Sequence, residues 1–504
     1  MVDKYPKKES ELALTSDVMP NWLAKRASLS PNRLALITES ETWTFAELHE
    51  RTVQATNKLS MLGIHEGDHV AILMGNRKEF LFLLHGLEYI GAVAILINTK
   101  LTAHEISWQL EDSESKLLLY DDALVEKVEN ITTSINMVSI HEFMNIGEGL
   151  AVIRPEWELN QIHTIIYTSG TTGKPKGVML TYGNHWWSAV SSSLNLGLHM
   201  DDCWLCATPL FHVSGLSILM RSVFYGIPVY LIEKFNPTKV NEAIENNNIT
   251  MISVVSQMLI RLLADLGERS YPKSLRCVLL GGASASKPLL EKCKQKQIPV
   301  YQTYGMTETA SQIATLSAEY MLSKLGSAGK PLFPAQLKIE NEGQTQPANK
   351  PGEIVVKGPN VTKGYWKRED ATKTNIVDGW LRTGDIGYLD DDGFLFMLDR
   401  RSDLIISGGE NIYPAEIESV ILSHRSIEEA GVVGKDDEKW GQVPVAFVKV
   451  WNSQTVTKEE LISLCEEQLA KYKVPVDIYF VEKLPRNASN KLIRMELREW
   501  LQPQ

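Results

Sequence analysis

Short β-branched runs separated by amphipathic stretches of helix length constrain the fold of this chain more than any other feature. His69 to Gly75 reads HVAILMG, a helical EFLFLLHGLEYIGA follows, and Val93 to Asn98 returns to VAILIN. The same alternation recurs at Tyr225 to Ile232, Thr250 to Val255 and Arg276 to Gly282. Continuous apolar runs need cover on both faces, and parallel neighbours need crossover helices, so the pattern predicts an α/β protein of mainly parallel, helix-covered sheets. The 504 residues, 44% hydrophobic and 22% charged, have room for about three domains or one large α/β unit with an appendage. After about Gly326 the texture changes. Glycine and proline become frequent and strands short (LKIEN, GEIVVKG, GFLFMLD), which predicts a β-rich subdomain over about 326–399. The remainder predicts a small α+β domain: a helix at Pro414 to Ser423, strands at Ala430 to Gly434 and Val443 to Val450, a helix at Lys458 to Ala470, and a last basic helix.

Charge and cysteine content bound the partners. There are 51 Lys and Arg against 62 Asp and Glu, a formal charge of −11, which argues against bulk attraction to nucleic acid or anionic lipid. Five scattered cysteines (Cys203, Cys206, Cys277, Cys293, Cys465) do not make a disulfide framework and fit a reducing compartment. The CxxC of Cys203 and Cys206 has no second pair and reads as a strand. The first residues, MVDKYPKKES, lack the apolar core of a secretory signal. The most apolar stretches, Phe80 to Ile97 and Leu216 to Ile232, are interrupted by His85 with Glu88 and by Arg221, so no membrane span is expected. A cytoplasmic location follows as the expectation, with a homo-oligomer left open.

Chemistry concentrates at Tyr167 to Gly177, YTSGTTGKPKG. The ten positions from Thr168 carry four hydroxyls, three glycines and two lysines. Glycines let the backbone approach phosphate oxygens, hydroxyls and N–H groups donate to them, and lysine supplies charge. The spacing is not that of a Walker A loop, because Pro175 follows Lys174.

This segment resembles the signature of the adenylate-forming superfamily, which includes acyl-CoA synthetases, luciferases and peptide-synthetase adenylation domains. Further motifs of that superfamily follow in order: PLFHVSG at Pro209 to Gly215, GGAS at Gly281 to Ser284, YQTYGMTET at Tyr301 to Thr309, and GEIVVKGPNVTKGYW at Gly352 to Trp366. WLRTGD at Trp380 to Asp385, DRRSDLIISGGENIYPAEIE at Asp399 to Glu418, and PRNASNKLIR at Pro485 to Arg494 complete the set. One such motif alone is weak, but their order over more than half the chain is not.

The resemblance implies adenylation of a carboxylic acid by ATP with Mg²⁺, then transfer of the acyl group to CoA. It implies that Thr168, Ser169, Gly170, Thr171, Thr172, Gly173 and Lys176 hold the β- and γ-phosphates, and that Thr307 contacts the α-phosphate. Glu308 is the implied Mg²⁺ ligand, since hard cations take oxygen donors and few from protein when phosphates supply the rest. Tyr304 with Gly305 is expected against adenine, Gly281 and Gly282 at its edge, and Asp385 and Arg400 at the ribose. Lys491 matches the adenylation lysine, although Asn490 stands where the superfamily usually has glycine. By the same resemblance residues 1–399 form the substrate-binding domain, 400–402 a hinge at Ser402, and 403–504 a mobile lid. Rotation of that lid would exchange Lys491 for Ser407, Gly408 and Gly409 along the CoA path. His212, Ser214, Gly215 and Arg221 are expected at the acyl group. The phrases LTYGNHWWSAV, PLFHVSGLSILMRSVFYG and VYQTYGMTETASQ resemble the o-succinylbenzoate-activating branch used in menaquinone synthesis. Arg221 is then a candidate partner for the second carboxylate of that acid. Ligation of another aryl or medium-chain acid, a luciferase-like oxygenase, and an AMP-binding sensor without catalysis are the competing readings. The joint presence of Lys491, Glu308 and Asp385 favours an enzyme.

Overall fold

The computed structural model describes residues 17–168, 175–282, 285–400, 403–407, 410–437, 440–452, 454–469, 471–487 and 492–501. It is an α/β structure whose strands fall mainly into sheets of seven, fifteen and five. In the seven-stranded sheet, His69–Leu73, Val93–Leu96, Leu117–Tyr120, Asn136–Ser139 and Ile162–Thr168 run parallel, and Lys176–Thr181 then turns back antiparallel on Ile162–Thr168. The helix Lys78–Ile90 is the expected crossover between the first two of these strands and is buried along almost its whole length. Gly91 ends it in the left-handed region, at φ 85°. Several helices begin at a reciprocal cap, as at Thr44 with Glu47, Thr102 with Glu105 and Thr181 with Asn184, which satisfies amide groups that the first turn leaves unpaired.

The fifteen-stranded sheet is parallel through Val229–Leu231, Trp204–Cys206, Met251–Val255, Cys277–Gly281 and Val300–Met306. Ser311–Leu316 then folds back antiparallel on Val300–Met306, and the β-rich region continues from it through Ser327–Pro331 and Leu395–Arg400. Antiparallel pairing therefore begins at Ser311, ahead of the change of texture near Gly326, and continues within the same sheet. The run Tyr225 to Ile232 also divides differently from expectation. Tyr225 closes the helix Val213–Tyr225, Gly226 caps it at φ 69°, and only Val229–Leu231 is strand.

The five-stranded sheet contains Ile405–Ser407, Glu410–Ile412, Ile427–Asp437 and Gly441–Val450, with Asp477–Phe480 added parallel to the last. It has an apolar cluster of its own, in which Ile405, Val432 and Ala446 of the sheet are buried with Ile417 and Leu461 of the helices Pro414–Leu422 and Lys458–Gln468. The strand Asp477–Phe480 was not legible in the sequence, and the last helix is confined to Arg494–Glu499. No helix among the described residues is long and apolar enough to cross a membrane.

A charged cluster ties the crossover helix to the sheet. Glu88 on Lys78–Ile90 bonds His85 Nδ1 at 2.7 Å and stands 2.8 Å from His163 Nε2, on Ile162–Thr168, with all three side chains buried. His185 packs edge-on against His163 at 4.9 Å and lies 3.2 Å from the Thr164 hydroxyl. Burial alone would raise the Glu88 pKa, but the charges and hydrogen bonds of His85 and His163 outweigh it and bring the group down to about 2. Burial pushes His185 well below its usual value, so it stays neutral. A folded-state value below the ordinary 4.5 stabilises the fold above that pH, and the contribution is lost as pH falls towards about 2. Glu88→Gln is expected to cost about 3 kcal/mol at neutral pH. The gap in unfolding midpoint between variant and parent should narrow as pH falls below 4.5; a gap independent of pH would contradict the ionic account.

Candidate active site

The candidate phosphate loop closes an antiparallel hairpin, with Thr168 directly opposite Lys176. A Walker loop instead joins a strand to a helix. Both roots of this loop are cross-braced. The Tyr167 hydroxyl donates to Asp112 at 2.7 Å, Arg368 bonds the other oxygen of that carboxylate at 2.6 Å, and the Trp366 indole donates to the Asp112 carbonyl at 3.0 Å. Trp366 N donates to the Gly177 carbonyl at 2.8 Å. A Cβ at Gly177 would stand 2.9 Å from Ile165 and 3.2 Å from Tyr167, so the closing glycine is required by packing. Asp112, Arg368 and Trp366 were not singled out in the sequence as parts of the site.

The segment from Tyr304 to Gln312 faces this hairpin. Gly305 sits at a register shift between paired strands, where a Cβ would lie 1.7 Å from the Ser311 carbonyl oxygen. Thr307 and Glu308 occupy the short 3₁₀ turn Thr307–Thr309, and both are half-buried. The next two residues, Ala310 and Ser311, have φ of 49° and 101°, conformations that cost energy in residues other than glycine. Surrounding bonds hold them there. Asn360 donates to the Thr309 and Gln312 carbonyls at 2.8 and 3.2 Å, Ser188 to the Ala310 carbonyl at 2.6 Å, and Thr362 N to the Glu308 carbonyl at 2.7 Å. The Tyr365 hydroxyl reaches Glu308 Oε1 at 3.2 Å, and Lys176 Nζ stands 5.3 Å from the centre of the same ring. The structure thus brings Lys176 and Glu308 to one aromatic side chain.

The expected nucleotide positions also converge. Gly281 ends the strand Cys277–Gly281, Gly282 follows at φ 89°, and Tyr304 lies on the adjacent strand, near the carboxyl ends where open α/β sheets bind ligands. The buried Tyr304 hydroxyl donates to Asp385 Oδ2 at 2.7 Å across 81 residues of sequence. Asp385 is buried, and the Thr383 hydroxyl accepts its amide N–H at 3.1 Å. The backbone of Arg400 pairs with Asp385 in the sheet register.

On the acyl side, His212 precedes the helix Val213–Tyr225 and is half-buried with its ring 4.8 Å from that of Phe211. Ser214 is exposed in the first turn. A Cβ at Gly215 would lie 2.3 Å from the Pro209 carbonyl oxygen, so close backbone approach accounts for this glycine. Two turns on, Arg221 is buried. It is 3.4 Å from Gln312 Oε1 and 5.1 Å from the centre of the Trp204 ring, and among the described residues no carboxylate pairs with it. Burial drives its pKa down, against smaller opposing effects of Tyr225 and Cys277. Ser217 lies one turn before it and reaches the Ser311 hydroxyl at 3.4 Å, so one stripe of the helix faces the Ser311–Leu316 strand.

Cys203 and Cys206 are buried beside and within the strand Trp204–Cys206, and burial pushes both thiols up to about 12. Ser407 is buried at the end of the strand Ile405–Ser407. The expected roles of Ser169, Gly170, Thr171, Thr172, Gly173, Ser402, Gly408, Gly409 and Lys491 lie outside the described residues, as does the side chain of Arg400.

Comparison with known proteins follows the same outline. The AMP-binding enzyme family matches residues 23–366, and the AMP-binding enzyme C-terminal domain matches residues 416–491. The chain is 59% identical to 2-succinylbenzoate–CoA ligase of Bacillus cytotoxicus over 486 residues, 96% of this chain and 99% of the relative. It is similar in fold to o-succinylbenzoate CoA synthetase from Bacillus subtilis in complex with the acyl-adenylate intermediate. That match has a TM-score of 0.91 and 50% identity, covering 95% of this chain and 98% of the other. A second structure of the Bacillus subtilis enzyme, in complex with ATP and magnesium ion, matches with a TM-score of 0.90 and 50% identity, covering 95% and 99%.

The packing makes a direct prediction. Gly305→Ala is expected to cost about 3 kcal/mol or more, because neither facing backbone can retreat. Gly75→Ala, where nothing stands within 4 Å of the new atom, is the control. Chemical denaturation should separate the two, and equal midpoints would contradict the close approach.

Proposed function

The chain belongs to the AMP-binding enzyme family, and from that premise we propose that it is an ATP-dependent ligase joining 2-succinylbenzoate to CoA. A carboxylate is a poor acyl donor because oxide would have to leave. Attack of one carboxylate oxygen on the α-phosphorus of ATP expels pyrophosphate and leaves AMP as the new leaving group. The CoA thiol then attacks the acyl carbon and AMP departs. The first step brings two anions together, so the site has to neutralise charge where it accumulates.

The described residues suit that task. Lys176 at the loop root places a cation beside the phosphates, and Thr307 offers a hydroxyl in the turn before a strained backbone. Glu308 is a half-buried carboxylate beside the loop root, a hard oxygen donor of the kind Mg²⁺ takes, and it would hold the ion with phosphate oxygens completing the set. When bound, Mg²⁺ withdraws charge from the phosphate oxygens and steadies the leaving pyrophosphate. Tyr304 fixes Asp385 for the two ribose hydroxyls through its 2.7 Å bond. His212 orients the reacting carboxylate from the start of the helix Val213–Tyr225.

The choice of acid is carried by Arg221. A guanidinium buried without a carboxylate costs several kcal/mol, and a second carboxylate on the substrate offsets that cost while locating the acid by its far end. Ser217 and Arg221, on the helix Val213–Tyr225, face Ser311 and Gln312 on the strand that follows Glu308, which supports an anchor close to the reacting centre. A ligase for a simple aryl or medium-chain acid has no use for such an arginine. Lys491 completes the adenylation step, and a rotation at Ser402 replaces it with Ser407, Gly408 and Gly409 for thioester formation; motif resemblance supports these assignments.

A panel of acids assayed for pyrophosphate release tests the reading. o-Succinylbenzoate should exceed its analogue lacking the ring carboxylate by about a hundredfold or more in kcat/KM. Arg221→Met should erase most of that preference while leaving the KM for ATP unchanged, and equal turnover of both acids by the parent enzyme would overturn the assignment. For the lid, Lys491→Ala should lose adenylation by about a hundredfold or more yet still convert supplied acyl-adenylate to thioester. Equal loss of both half-reactions would contradict the rotation.

A further inference from the structure

Tyr365 lies between Lys176 and Glu308, and no motif reading gave it a role. It is buried in the two-residue strand Gly364–Tyr365, which pairs antiparallel with the strand leaving the phosphate loop, Val178 opposite Tyr365 and Met179 opposite Gly364. Its backbone is fixed from several directions. Tyr365 N donates to the Thr372 hydroxyl at 3.0 Å, and the Thr362 hydroxyl bridges the Met179 and Gly364 carbonyls at 2.5 and 3.0 Å. Gly364 has φ 143°, and a Cβ there would lie 2.6 Å from Thr372, so the bend that aims Tyr365 inward needs glycine.

From this fixed backbone the side chain serves two neighbours with two different parts. The hydroxyl reaches Glu308 Oε1 at 3.2 Å, and the ring face lies 5.3 Å from Lys176 Nζ. A hydrogen bond to one carboxylate oxygen restricts rotation of the carboxylate and turns its other oxygen to a fixed direction. An aromatic face attracts an ammonium group without neutralising it, so the lysine keeps its full charge for phosphate. A bare carboxylate at 308 would instead attract Lys176 into an ion pair and remove both from the ligand.

We propose that Tyr365 is a positioning residue for adenylation: its hydroxyl orients Glu308 towards the Mg²⁺ of bound Mg·ATP, and its ring holds Lys176 at the phosphates and apart from that carboxylate. The proposal rests on the ligase reading above. Its two halves separate by substitution, since Tyr365→Phe removes only the hydroxyl and Tyr365→Leu removes the aromatic face as well.

Isothermal titration calorimetry of ATP with the full chain, over a series of Mg²⁺ concentrations and in EDTA, reads both halves without turnover. Tyr365→Phe should raise the Mg²⁺ concentration that half-restores tight ATP binding by about three- to tenfold and leave binding in EDTA unchanged. Tyr365→Leu should show the same Mg²⁺ shift and also weaken ATP binding in EDTA by about threefold or more. Combined with Glu308→Gln, Tyr365→Phe should add no further Mg²⁺ shift, an outcome that a general loosening of the fold would not give. An unchanged Mg²⁺ dependence in Tyr365→Phe, or a full additional shift on the Glu308→Gln background, would overturn the proposal. Failure of the parent protein to bind ATP with Mg²⁺ would instead overturn the functional reading on which it rests.

Discussion

The site depends on a short cross-link between two pieces of chain far apart in sequence. The strand Lys176–Thr181, which leaves the phosphate loop, is paired to Gly364–Tyr365, bonded through Gly177 to Trp366, and joined through Met179 to Thr362. Thr362 in turn bonds the Glu308 carbonyl, and Asn360 bonds the two carbonyls that flank the strained Ala310 and Ser311. One stretch, Asn360 to Trp366, therefore sets the distance between the loop and the turn that carries Thr307 and Glu308. Alignment of that kind lowers an adenylation barrier, because the reacting anions meet in a frame already organised for their charge.

Buried charge is used in two opposite ways on either side of this frame. Glu88 is flanked by His85 and His163 at ion-pair distance, and this cluster links the helix Lys78–Ile90 to the strand that enters the loop. Arg221 is held only by Gln312 and the face of Trp204 among the described residues, so it retains a guanidinium with capacity for an anion. The first arrangement stabilises the scaffold without a ligand. The second would be stabilised by an anionic ligand, and on the proposed function that ligand is the second carboxylate of the acid. A net charge of −11 is no obstacle to binding ATP and CoA, since the decisive groups act over a few ångströms.

Much of the fold was legible because its parallel strands are continuous apolar runs separated by helices of crossover length, as at His69–Leu73 and Val93–Leu96. Boundaries were less legible. Tyr225 is as apolar as the strand that follows, and only Gly226 reveals that a helix ends there. The strand Asp477–Phe480 carries exposed residues at a sheet edge and leaves little periodic signal. Within the candidate site, Tyr304, Asp385, Glu308 and Lys176 were singled out from their motifs, and the structure brings Tyr304 to Asp385 and both Lys176 and Glu308 to Tyr365. Asp112, Arg368 and Tyr365 could not be placed. Their importance comes from contacts across 55 to 256 residues of sequence, and no local pattern records such contacts.

If Arg221 holds the ring carboxylate of o-succinylbenzoate as proposed, the aliphatic carboxylate is the one left to attack the α-phosphorus. Labelling one carboxylate at a time with ¹⁸O, followed by mass spectrometry of the AMP released in the presence of ATP, Mg²⁺ and CoA, tests it most directly. The account predicts one labelled oxygen in AMP from the aliphatic carboxylate and none from the ring carboxylate. Label arriving from the ring carboxylate, or absent from AMP in both cases, would contradict it.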